Sequence, residues 1–126
     1  MTEEDIDNLN YLELDTLVAK VFYGIALFRK QNNTNNILIK ATEAKEAGMK
    51  KLHTSTVGWC NLPRFSTDLR DCYKVVTLYS YIKDIQTVTR NGISYAAVGN
   101  RTSKSKSLPQ AIIKAILKDK LDVYSV

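Results

Sequence analysis

Arg101, Lys104 and Lys106 alternate with Thr102, Ser103, Ser105 and Ser107 directly ahead of a helix start, a pattern that gathers cations, hydroxyl donors and free backbone amides. Such a combination suits a phosphate group. A solvated basic loop is the plain alternative. Trp59 and Phe65 lie in the middle of the chain beside Arg64, and loop aromatics can stack on a base while arginines pair phosphates. Trp59, Arg64, Phe65, Arg101, Lys104 and Lys106 are therefore the candidate ligand-binding residues. Catalytic chemistry is poorly supplied. His53 is the sole histidine and neighbours Lys50 and Lys51 rather than a carboxylate or thiol. Ser66, Asp68 and His53 could be written as a hydrolytic triad, but no strand-turn-helix nucleophile motif surrounds the serine. The pairs Asp68/Asp71 and Glu43/Glu46 stand at helical spacing with no metal-ligand pattern around them, and no glycine-rich phosphate loop is present. The expectation is a binding protein, not an enzyme, with no metal and no cofactor.

The chain has 126 residues, 44% hydrophobic and 25% charged, which suits one domain with a real core. Its net charge of +5 hides an asymmetry. Six of the 13 acidic residues lie in the first fifteen positions, so the rest of the chain holds 18 basic against 7 acidic residues, a net +11. A basic body favours anionic partners, although scattered lysines also serve solubility. No apolar run approaches the roughly 20 residues of a membrane span, and the amino end is acidic where a secretory signal would be basic, so a cytoplasmic protein is expected. Cys60 and Cys72 are too few for a disulfide framework and lack zinc-site company; Cys72 reads as core.

Leu14, Leu17, Val18, Val21, Phe22, Ile25 and Phe28 recur at three- and four-residue steps and predict a helix over 10–27, opened by an Asn10/Glu13 capping box. Residues 36–40 suit a short strand, 41–52 a helix interrupted by Gly48, and 53–65 irregular chain. Ser66 is the expected N-cap of a second helix running to about Lys83, with an apolar stripe of Leu69, Cys72, Val76 and Tyr79. Two β-rich runs joined by Asn91-Gly92 predict a hairpin over 85–98. The segment 99–107 is a polar, basic connection into a closing helix with Pro109 in its first turn, buried stripe Leu108, Ala111, Ile112, Ala115 and Ile116, and Lys114, Lys118 and Lys120 favouring its carboxyl end. The whole is an α+β fold of about three helices and a small antiparallel sheet, in one domain, 1–126, with the acidic segment 1–9 free to be flexible.

Three segments in register, LDTLVAKVFYG at 14–24, LPRFSTD at 62–68 and LPQAIIKAILK at 108–118, resemble the phage ABA-sandwich domain family of small bacteriophage proteins, over roughly residues 10–120. The resemblance implies a compact alpha-beta-alpha sandwich and a phage gene product acting in the host cytoplasm. Small phage proteins without catalytic groups commonly bind a host protein or capture a host signal. The leading expectation is a non-enzymatic sponge for a nucleotide-derived immune signal. The alternatives are an inhibitor that occupies a host defence protein through the acidic segment 1–15, or a nucleic-acid binder. A homo-oligomer is expected, because a small sheet and short helices leave edges and apolar flanks that one chain covers poorly.

Overall fold

The computed structural model describes residues 1–32, 34–49, 54–56 and 58–123, so His53 with Lys50 and Lys51 lies outside the described residues. The fold is α+β. In chain order it runs α1 (Glu3–Asp7), α2 (Tyr11–Tyr23), β1 (Phe28–Lys30), β2 (Ile37–Lys40), α3 (Ala41–Glu46), β3 (Thr54–Thr56), β4 (Trp59–Asn61), α4 (Leu69–Ser80), β5 (Ile85–Arg90), β6 (Ile93–Val98), β7 (Arg101–Ser105) and α5 (Leu108–Lys120). The long expected helices are α2, α4 and α5, and α3 is the start of the helix expected over 41–52, ending at Glu46 ahead of Gly48; α1 is an addition. The chain divides into two compact units, Met1–Leu14 with Arg64–Val126, and Asp15–Pro63.

The 15–63 unit carries a four-stranded antiparallel sheet in the order β1-β2-β4-β3. Strands β2 and β4 are the inner pair, with Ile39 of β2 facing both Phe28 and Cys60. Two of these strands form inside the stretch expected to be irregular. Their local signal is weak, and pairing of β4 with β2 and of β3 with β4 supplies the backbone partners that Ser, Thr and Gly content does not advertise. The capping box at Asn10 and Glu13 forms in both directions, at 3.0 and 2.9 Å. Gly24, with φ of +64°, ends α2 at Tyr23, four residues short of the expected stop.

The other unit carries the sheet β5-β6-β7, antiparallel throughout. The expected hairpin is in place, with Arg90 facing Ile93 and both Asn91 and Gly92 at positive φ, the geometry of a type I′ turn. A second two-residue turn, Gly99-Asn100, adds β7, so 101–105 is a strand and not a loop. Helix α5 packs on this sheet and on α1 and α4. It is buried continuously from Ala111 to Lys118, far beyond the five-residue stripe that its apolar pattern predicts. Helix α4 buries Cys72, Val75 and Tyr79, while Leu69 is exposed. Its N-cap is Asp68, whose carboxylate accepts from the backbone amides of Arg70 and Asp71. Ser66 is fully buried and donates to the carbonyl of Tyr11 at 3.1 Å, so it ties two segments together rather than capping. Both cysteines are free and buried, and burial pushes the Cys72 thiol up to about 12. It stays protonated and inert at neutral pH.

A polar knot closes α5 against α4. Asp119 accepts from Lys83 at 2.8 Å and from the hydroxyl of Tyr79. Burial alone would raise the Asp119 carboxyl, but the hydrogen bonds from Lys83 and Tyr79, with the charges of Lys83 and Arg101, hold it below its ordinary value of 3.8. A depressed folded value contributes stability above 3.8 that is lost as pH falls through it. Asp119→Asn should therefore flatten the acid limb of a stability-versus-pH curve recorded by chemical denaturation; an unchanged slope below the ordinary carboxylate range would reject the role.

Candidate functional site

Lys114 and Lys118 lie four residues apart on α5, hence on one face, and both turn inward instead of trailing to solvent at the carboxyl end. Lys118 is only 4% exposed at its side chain; its Nζ donates to Asp7 Oδ1 at 2.8 Å and to the Thr102 carbonyl at 3.0 Å. Lys114 Nζ donates to the backbone carbonyl of Asp7 at 2.8 Å. Burial lowers the Lys114 ammonium from its ordinary value, the Asp7 carboxylate partly restores it, and the Lys118 charge lowers it again. Both lysines thus depend on α1. That helix is fixed by a capping box between Thr2 and Asp5 and by the full burial of Ile6. Glu3 pairs with Arg101 at 3.4 Å, and Arg101 also reaches Asp122 at 3.0 Å. The acidic segment is therefore an anchored part of its unit and not a loose extension.

Beside these lysines opens a cleft of about 880 Å³. Its wall is three consecutive cross-strand rows of the sheet: Gln86, Ala97 and Thr102; Thr87, Ala96 and Ser103; Val88, Tyr95 and Lys104. Glu3, Asp7, Lys114 and Lys118 complete the lining. Alanines at the centre of the sheet leave room where larger side chains would fill it. Side chains alternate along each strand, so Thr87, Ala96 and Ser103 stand on the buried face of the sheet that α5 covers, whereas Val88, Tyr95 and Lys104, with Gln86, Ala97 and Thr102, stand on the opposite face. The acidic charges are already engaged, Asp7 by Lys118 and Glu3 by Arg101. Lys104 makes no ion pair among the described residues, and Lys114 has one acceptor for three N–H groups. Ser103 Oγ is buried with no hydrogen-bond partner among the described residues. A buried hydroxyl without a partner is costly, and an acceptor brought into the cleft would satisfy it. Among the described residues, no three His, Cys, Asp or Glu side chains gather closely enough to hold a metal ion.

Of the six candidate ligand residues, Lys104 alone lines this cleft. Arg101 is on the same strand but committed to Glu3 and Asp122. Lys106 and Arg64 are exposed elsewhere in the same unit. Phe65 is 1% exposed and belongs to the core, so it offers no face for stacking. Trp59 belongs to the other unit, where Arg29 lies over its ring at 5.5 Å. Lys114, Lys118, Ser103 and Tyr95 are the site residues that sequence reasoning missed or read as structural. The dipeptide Gly99-Asn100 between two β-branched or hydroxyl-bearing runs was the available signal for β7. No known protein family, curated protein or solved structure matches the chain. The geometry stands alone.

Proposed function

We propose that this is a phage-encoded, non-enzymatic binding protein that sequesters a nucleotide-derived immune signal in the host cytoplasm, working as a homo-oligomer. The observation that carries the reading is the cleft itself: Lys114 and the unpartnered Ser103 hydroxyl bring under-committed donors to it on the buried face of the sheet, beside Thr87 and Ala96. An anionic ligand supplies the acceptors that these donors lack. The acidic segment supports the inhibitor alternative poorly, because Glu3 and Asp7 spend their charge inside their own unit. Calorimetry against cyclic oligonucleotides and ADP-ribose derivatives is the test. Binding is expected, with the ligand recovered chemically unchanged after denaturation. Ser103→Ala should weaken it by about 3- to 10-fold, the worth of one neutral hydrogen bond, with no loss of melting temperature. Arg101→Glu is the wrong probe, since it breaks two ion pairs of the fold. Silence across the panel would overturn the reading and favour a host-protein inhibitor, for which the exposed Leu69, Tyr73, Leu78, Tyr81 and Ile82 of α4 and its following turn offer an apolar surface. Release of a cleaved product would make the protein an enzyme.

A further inference from the structure

The two edges of the sheet β5-β6-β7 are treated differently by the sequence. Edge β7 is protected: Lys118 occupies the Thr102 carbonyl, and Lys104 and Lys106 put exposed charge along it. Edge β5 is six residues long, contains no proline, and is exposed at every position from Gln86 to Arg90. Residues flanking a two-residue turn exchange both backbone bonds, so Arg90, Val88 and Gln86 direct their backbone groups to β6. By alternation Ile85, Thr87 and Thr89 direct theirs outward. We infer that β5 pairs with β5 of a second copy, antiparallel about a twofold axis at Thr87, joining two three-stranded sheets into one of six strands.

The occupant and register follow from charge. With Thr87 opposite itself, Ile85 meets Thr89, Gln86 meets Val88, and Asp84 meets Arg90 of the second copy, twice by symmetry. Asp84 and Arg90 are exposed, and neither makes an ion pair among the described residues. The central pair falls on a residue whose backbone groups face outward, as a narrow hydrogen-bonded pair requires. Self-pairing thus satisfies the outward amides and carbonyls of the edge and neutralises both of its charged ends. This takes up the homo-oligomer of the proposed function; Gln86, Thr87 and Val88 of the same strand also line the cleft, so the seam and the ligand are tested by separate readouts.

Sedimentation velocity on the full chain at micromolar concentrations tests it, with circular dichroism to confirm folding. The expected result is a dimer. Thr87→Pro removes an outward amide without touching the β5–β6 ladder and should give a folded monomer. Arg90→Asp should raise the dimer dissociation constant about tenfold, through two exposed pairs changed from attraction to repulsion. The exchange D84R with R90D should restore it. A monomeric wild type, a folded Thr87→Pro that still dimerises, or an exchange variant no tighter than Arg90→Asp overturns the inference. Because the readout is mass and not ligand binding, its failure leaves the calorimetric test standing, and the reverse holds too.

Discussion

Asp7→Ala should destabilise the protein by about 2–3 kcal/mol at neutral pH, and Lys118→Met by no more than about 1 kcal/mol, although both remove the same ion pair. Removing the acid strands a cation: Lys118, 4% exposed at its side chain, keeps only the Thr102 carbonyl, with the Lys114 ammonium close by. Breaking a buried pair in this way costs about 3–5 kcal/mol, reduced here because the Asp7 carboxylate is half-exposed and partly screened. Removing the base instead places an apolar chain of similar volume among apolar neighbours, and Asp7 can hydrate. What remains is one unpaired strand carbonyl, worth about 1 kcal/mol. The asymmetry has a pH signature. In Asp7→Ala the Lys114 ammonium, already lowered from its ordinary 10.5 by burial, loses the carboxylate that partly restores it, so the unfolded state binds more protons and stability should recover as pH rises toward that value. Urea denaturation of both variants at neutral and alkaline pH checks this. Equal losses, or an Asp7→Ala deficit that does not shrink with pH, would mean that water reaches Lys118.

Local signals were legible where the physics is local. Asn10 and Glu13 are three residues apart and cap each other as their spacing predicts. Asn91-Gly92 turns the chain because both residues sit at positive φ, and the register of β5 on β6 follows from that turn. The site was not legible, because what makes it a site is non-local. Lys114 and Lys118 look like surface lysines until their acceptor is known, and Asp7 is 107 positions from Lys114. Phe65 looks like a free loop aromatic until the burial of its segment is known. Ser66 and Asp68 both satisfy the rules for a cap, and the bond from the Ser66 hydroxyl to the Tyr11 carbonyl, 55 positions away, decides between them. Arg101 joins the same class: its charge suggested a ligand, and two acids from opposite ends of the chain had already claimed it.

Gly99→Ala should cost about 2–4 kcal/mol, a large share of the stability of a small domain. Two causes add. Gly99 has φ of +58° at the first central position of the β6–β7 turn, a conformation costing an L-residue about 1–2 kcal/mol. A Cβ there would also stand 2.8 Å from Asp119 Oδ1, nearer than real contacts allow, and a tight 3.2 Å from Lys83 Nζ. Lys83 is a flexible chain end and can swing away, but Asp119 is held from both sides by Lys83 and Tyr79, so moving it breaks the knot between α4 and α5. The two causes separate in a double-mutant cycle. In an Asp119→Ala background the collision is gone and Gly99→Ala should cost only the backbone part, about half its value in the wild type. Additive losses would show that the turn conformation alone requires the glycine. A coupling of about 1–2 kcal/mol would show instead that the turn ending β6 is packed against the α4–α5 knot, so that the sheet carrying the cleft and the helix carrying its lysines are held in one geometry by this contact.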